Sequence, residues 1–238
     1  MSFLDRLMTF NSSRLRLMEH NAAFAKTVPA NALVLDAGAG DSPYQHLFSH
    51  ARYESADFEK VNKRYGKTTY VCDLRSIPVE DGRFDFAVFN QVMEHLPEPL
   101  LALKELHRVL KAGGKMIYSA PLFYEEHEQP YDFFRYTQFG VRHLLTSAGF
   151  TIERLEWLEG YFGTVAYQFN CMARFLPVRR KDFHGAGRGL VLSPLTGALK
   201  LECACLSYIF HKMEMRMKID WTGHPKNYVA VAVKPASG

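Results

Sequence analysis

Three aspartates, Asp36, Asp57 and Asp73, each close a short apolar run, and the first opens into Ala37-Gly38-Ala39-Gly40-Asp41-Ser42. Glycines in such a loop let the backbone turn sharply and approach a ligand closely. Asp57 lies 21 residues after Asp36, about the spacing at which a carboxylate accepts hydrogen bonds from ribose hydroxyls. Asp73 is placed to accept from an adenine amino group, and Asp36 can orient the glycine loop. A dinucleotide fingerprint needs a third glycine where this chain has Pro43, which counts against a nicotinamide cofactor. Three carboxylates around one pocket repel a pyrophosphate and suit a cationic nucleoside. The competing reading is that acids end strands because loops are solvated; it is weakest for all three together with the Gly-x-Gly.

A second set lies at Phe123–Tyr136, where six of fourteen residues are aromatic against 13% over the chain. Aromatic walls exclude water and tolerate a cation. His127 is the first candidate base, because an imidazole can take up and release a proton at physiological pH. Arg135 can hold an anionic acceptor such as a carboxylate or phosphate, and Tyr136 completes the candidate catalytic set. Equally, the aromatics can be core, with Asp132 pairing Arg135 one turn away. Glu94 and His95 could also face an acceptor. Adjacent helical residues point in different directions, so they are not expected to act as a pair, and His95 reads best as a packing residue. The four cysteines, Cys72, Cys171, Cys203 and Cys205, form no paired CxxC motifs. No metal site and no disulfide framework is therefore expected, and reduced thiols point to a cytoplasmic location.

The elements that must position these groups alternate. Residues 3–27 read as a helix with Phe3, Leu7 and Phe10 on one stripe. Strands are expected at 32–36, 52–57, 69–73, 84–90, 115–121, 151–158 and 228–234. Helices are expected at 42–50, at 99–110 with Leu100, Leu103, Leu106 and Leu110 in phase, and at 137–148 with Thr137 as N-cap and Gly149 as stop. Lys111-Ala112-Gly113-Gly114 reads as a helix stop. Such alternation means an α/β fold with a mostly parallel sheet.

The ordered segments LDAGAGDSPY, ADFE, CDLRSIP, FDFAVFNQVMEHL and LHRVLKAGGKMIYSAP resemble the class I S-adenosylmethionine-dependent methyltransferases, and most of all their small-molecule, type 11-like branch. The resemblance covers about residues 31–150, with 228–234 similar to the terminal strand of that fold. It implies a Rossmann-like seven-stranded, mostly parallel sheet with helices on both faces and an antiparallel last strand. It implies S-adenosyl-L-methionine as cofactor. Asp36, Gly38 and Gly40 would cradle its methionyl part, Asp57 its ribose, Asp73 and Leu74 its adenine, and Asn90 and Gln91 the floor near the methyl group. Asp41-Ser42-Pro43 departs from the smaller residues of many relatives, so Ser42 or Asp41 can supply a loop hydrogen bond instead. PYDFFRYT looks like a stretch found in bacterial methyltransferases linked to glycan or natural-product pathways.

The expected domains are an N-terminal helical segment at 1–30, a methyltransferase domain at 31–160 and 222–238, and an insertion at 161–221. The insertion carries nine Lys/Arg against four Asp/Glu, the whole basic excess of a chain whose net charge is +4. Leu195, Leu199, Cys203, Leu206, Phe210, Met213 and Met217 recur at helical spacing there. A lid, a homodimer surface and a peripheral membrane contact through 189–218 compete for this element. A spanning helix is disfavoured by Pro194, Lys200 and Glu202. No nucleic acid is expected as partner, because aromatic interleaving is thin. The N-terminus lacks the apolar stretch of a signal peptide. With 47% hydrophobic and 23% charged residues, disorder, collagen and coiled coil are excluded. The expected function is methyl transfer to a small-molecule hydroxyl. The alternatives are a nucleoside-binding protein without turnover and a nicotinamide-dependent oxidoreductase.

Overall fold

The computed structural model of the protein describes residues 7–184 and 186–236, so the expected placement of Phe3 lies outside the described residues. The chain divides into two compact units, residues 17–158 with 227–238 and residues 1–16 with 159–226.

The first unit is built on a seven-stranded sheet: β1 (Leu33–Ala37), β2 (Arg52–Asp57), β3 (Tyr70–Val71), β4 (Phe84–Asn90), β5 (Leu110–Pro121), β6 (Thr151–Trp157) and β7 (Asn227–Val233). The order is β3-β2-β1-β4-β5-β7-β6. β7 alone runs antiparallel to its neighbours, as the last strand was expected to do. Alternate side chains feed two cores. Leu35, Ala87, Phe89, Met116 and Tyr118 face one, where they meet Leu103 and Leu106 of α2 (Pro99–Val109) and Val141 and Leu145 of α3 (Gln138–Ser147). Val34, Val88, Ile117 and Val229 face the other, with Phe48 and with Leu17 and Phe24 of α1 (Ser12–Ala25). Pro99 opens α2 at a position where its missing N–H costs nothing. The Thr137 side chain caps α3 by accepting the Gly140 N–H at 3.2 Å. The chain passes from β1 outward to β2 and β3, then restarts at β4 on the other side of β1. That reversal opens a crevice at the carboxyl ends of β1 and β4.

Three local expectations change. Residues 42–50 hold only a 3₁₀ turn, Gln45–Phe48, because Ser42 takes φ +54° and Pro43 follows it. The helix stops at Val109, as expected ahead of Lys111–Gly114, but those four residues already belong to β5, which was expected to begin at 115: Gly113 donates to the Lys234 carbonyl at 2.8 Å, and a register shift between Phe84 and Phe86 absorbs the extra residues. β3 shrinks to two residues because Asp73 turns the chain, its carboxylate accepting the Arg75 N–H at 2.9 Å.

The second unit contains α4 (Tyr161–Phe175) and α5 (Ala186–Arg216). The buried seam of α5 is Cys203, Ala204, Ser207, His211 and Glu214, displaced from the apolar stripe expected there. Cys203 belongs to both. Leu206, Phe210 and Met213 are half-buried, and Leu195, Leu199 and Met217 are exposed. Small and hydrogen-bonding side chains suit that seam because α4 comes close: Ser207 donates to the Ala166 carbonyl at 2.9 Å, and Glu214 accepts the Gly160 and Gly163 N–H groups at 2.8 and 3.2 Å. His211 Nδ1 accepts from the Ser12 hydroxyl at 2.7 Å, and burial pushes its pKa down to about 4. By length and composition Gly187–Arg216 could cross a membrane, and 17% of its most apolar window is buried.

Candidate functional site

A cavity of about 880 Å³, its mouth included, lies in the first unit. Its wall includes Gly38, Asp57, Asp73, Leu74 and Gln91 from the expected cofactor set, and His95, Glu128, Tyr131 and Phe133 besides. Gly38 sits at φ +76°, and a Cβ there would fall 2.4 Å from Val92 Cγ2, so only glycine fits. The Gly40 N–H donates to Asp57 at 2.9 Å, and Glu59 donates to the same carboxylate at 3.1 Å. The glycine loop and the end of β2 are thereby fixed to each other. Asp73 is paired with Arg75 at 2.7 Å, which holds its pKa below the usual range.

Two expected groups face elsewhere. Asp36 alternates onto the second core face, where the Tyr53 hydroxyl donates to it and burial pushes its pKa up to about 7. Two of the three expected aspartates therefore line the cavity, with Glu128 as its third carboxylate. Asn90 accepts from the Ser119 hydroxyl at 2.9 Å and donates to Asn21 at 2.8 Å. Its neighbour Gln91, at φ +56°, turns into the cavity instead.

The expected catalytic trio separates. A guanidinium has five N–H donors, and those of Arg135 reach the carbonyls of Tyr124, Glu125 and Phe134 and both oxygens of Asp132. Arg135 is thus a cross-link of its own loop, with no donor left for an anionic acceptor, and it holds the Asp132 pKa down at about 2. Tyr136 is buried in the first core with its hydroxyl donating to the Met93 carbonyl at 3.0 Å. His127 is half-buried, its ring centroid 4.6 Å from that of His95.

His95 is the residue that sequence reasoning set aside. It reaches the cavity wall from the 3₁₀ turn Met93–His95 that follows β4. A carbonyl oxygen only accepts, so the 2.5 Å contact of Nδ1 with the Tyr131 carbonyl puts the proton on Nδ1 and leaves Nε2 as an acceptor. Burial lowers its pKa, which favours the neutral ring. Glu94 is fully buried, neither carboxylate oxygen has a hydrogen-bond partner, and burial pushes its pKa up to about 8. Its Oε1 lies 3.8 Å from His95 Nε2, so the adjacent residues do converge. A Glu-His pair directly after β4, at the switch crevice, was the available signal.

Residues 35–118 match a family model described as a methyltransferase domain. A tRNA (carboxymethyluridine(34)-5-O)-methyltransferase of Macaca fascicularis is 27% identical over 115 residues, 45% of this chain and 17% of its own length. The matches to the first curated relatives span 17–28% of those proteins. Among solved structures, the [4+2]-cyclase SpnF gives a TM-score of 0.56 at 19% identity, covering 93% of this chain and 81% of its own. A Burkholderia thailandensis 1,6-didemethyltoxoflavin-N1-methyltransferase, solved with S-adenosylhomocysteine, gives 0.53 at 17%, covering 92% and 78%. Sequence match and sheet order agree: residues 35–118 match a methyltransferase domain, and the chain has the Rossmann-like fold of the class I methyltransferases.

Proposed function

We propose that the protein transfers a methyl group from S-adenosylmethionine to a hydroxyl of a small molecule, of the glycan or natural-product precursor class. The observation that carries this reading is one cavity, at the carboxyl edge of the sheet, that joins the Gly38 loop, Asp57 and Leu74 to the free Nε2 of His95. The residues fit the cofactor. A cradle that admits only glycine lets backbone approach the methionyl part. Asp57, already fixed by two N–H groups, presents a carboxylate to the ribose. Leu74 and Asp73 flank an adenine, and Gln91 lies in the wall where a floor is needed.

S-adenosylmethionine supplies an electrophilic methyl on a sulfonium, and the protein supplies alignment and exclusion of water. Phe133 and Tyr131 line the cavity and shield the acceptor. His95 Nε2 receives the acceptor's proton, with Nδ1 anchored on Tyr131 to hold the ring. His127, the base favoured from sequence, stands behind it. Calorimetric titration with S-adenosylmethionine and S-adenosylhomocysteine tests the cofactor, and product formation with a panel of hydroxylated acceptors tests the transfer. Tight binding with no turnover on any acceptor favours a nucleoside-binding protein; binding of a nicotinamide dinucleotide instead overturns the reading.

We infer a second property from the other unit: α5 contacts an anionic bilayer. Leu190, Val191, Leu195 and Leu199 are exposed on it, and Arg179, Arg180, Lys181 and Arg188 lie at or just before its start. Apolar residues beside basic ones suit that surface. Co-sedimentation with phosphatidylglycerol vesicles but not with neutral ones supports this; a dimer in solution that leaves both vesicles unbound overturns it.

A further inference from the structure

The wall that carries His95 has a composition that proton transfer alone does not explain. One ligand atom from each of Glu94, His95 and His127 lies within 4.8 Å of those of the other two. Two imidazoles and a carboxylate on one point are a common donor set for borderline divalent ions. Three independent features of the surroundings favour a cation there.

The first is the state of both rings. His95 Nδ1 is held by the Tyr131 carbonyl, and His127 Nδ1 contacts the Glu125 carbonyl at 3.1 Å. Each carbonyl can only accept, so each ring carries its proton on Nδ1 and bares Nε2. Metal-bound histidines have this anchoring, with the second nitrogen donating to a carbonyl or carboxylate. The second is Glu94. A fully buried carboxyl with neither oxygen partnered is costly, and a cation would satisfy it. The third is the rigidity of the loop. Arg135 spans Tyr124, Glu125, Phe134 and Asp132, and Asp132 accepts the His127 N–H at 2.8 Å. The carbonyl that orients His127 is therefore itself fixed.

We propose that Glu94, His95 and His127 form a binding site for one divalent first-row cation of the zinc, manganese or iron(II) class, on the wall of the proposed cofactor cavity. Bonds of about 2.1 Å in a tetrahedral set place ligand atoms about 3.4 Å apart, so Glu94 and His95, at 3.8 Å, need to close by only a few tenths of an ångström. Imidazole donors disfavour magnesium. Glu128 lies 4.0 Å from His95 Nε2 but is neutralised by Lys63 at 2.9 Å, so three protein ligands leave positions open for an acceptor oxygen. The site itself does not rest on the methyl-transfer reading; that last role does, and with His95 Nε2 taken by the ion, the ion would acidify the acceptor hydroxyl in its place, the proton leaving to solvent.

The test uses the full chain without a histidine tag, stripped with a chelator. Zinc or manganese is added, and bound metal is counted after gel filtration; cobalt(II) reports the ligand geometry by its visible absorption. The expected result is one ion per chain, with affinity at least about tenfold weaker in Glu94→Gln and in His127→Gln, and unchanged in His143→Gln, on the exposed side of α3. Millimolar magnesium should not compete. Wild-type protein that retains no stoichiometric ion, or variants that bind as wild type does, overturn the proposal. S-adenosylhomocysteine titration of the same samples separates the two readings: nucleoside binding without metal sinks this site alone.

Discussion

In the sheet unit, Leu35, Phe89, Ile117 and Val229 are wholly buried, and polar groups such as Asp57 and His95 are gathered at one crevice. In the helical unit, α5 buries Ser207, His211 and Glu214 while Leu190, Val191 and Leu195 stand exposed. The first unit is held by apolar burial, about 25 cal/mol for each Å² removed from water. The seam of the second is held by hydrogen bonds to buried polar groups, each worth little net but costly to leave unmade. The difference separates the tasks: a sheet whose interior is saturated can spare strand ends for a ligand, and a helix whose outer face is apolar needs something to cover it.

The largest expected effect tests the sheet side of that contrast. Phe89→Ala should cost about 3–5 kcal/mol of stability, read as a fall in the midpoint of urea unfolding. A loss under 1 kcal/mol would mean the first core is not what holds this unit. His95→Gln should lower kcat about 10²–10⁴-fold while S-adenosylhomocysteine affinity stays put; a matching fall in affinity would make His95 a packing residue after all. Asp57→Ala removes the proposed ribose partner and the acceptor of the Gly40 N–H, so binding should weaken by about 1–3 kcal/mol. Equal affinity in the variant would remove Asp57 from the cofactor set.

Polar burial in the second unit predicts a pH effect. The pKa of His211 falls from 6.5 to about 4 on folding, through burial and then the nearby Lys226 charge. The unfolded chain therefore binds more protons between those values, and stability supplied by the neutral ring is complete above pH 6.5 and lost as pH falls toward 4. His211→Gln should flatten that part of the stability profile; an unchanged slope would place the titration elsewhere. Smallest of all, Leu195→Ser on the exposed face should shift stability by no more than about 0.5 kcal/mol yet reduce vesicle binding. A large destabilisation would show that this face is covered within the chain.

The strands of the sheet were legible because β1, β4 and β7 are short, continuous apolar runs, and so was the N-cap at Thr137. The glycine loop and Asp57 were legible because their chemistry is local. Asp36 was misread because strand alternation, not chain order, decides which face a side chain meets. Arg135 was misread because its five acceptors, three of them main-chain carbonyls, exist only once the loop has folded. Glu94, His95 and His127 were not grouped because the loop closes 32 residues of chain onto a 3₁₀ turn, where adjacent side chains converge in a way that a regular helix would not allow. On α5 the stripe was visible, but the sequence alone could not show that a close neighbour selects the small polar seam beside it.

The most direct test of the central claim is calorimetric titration of the full chain with S-adenosylmethionine, S-adenosylhomocysteine and NAD in parallel. Micromolar binding of both sulfur nucleosides, about −8 kcal/mol, with none of the dinucleotide, is the result that the Gly38–Asp57–Leu74 cavity predicts. Binding of NAD, or of neither sulfur compound, would contradict it.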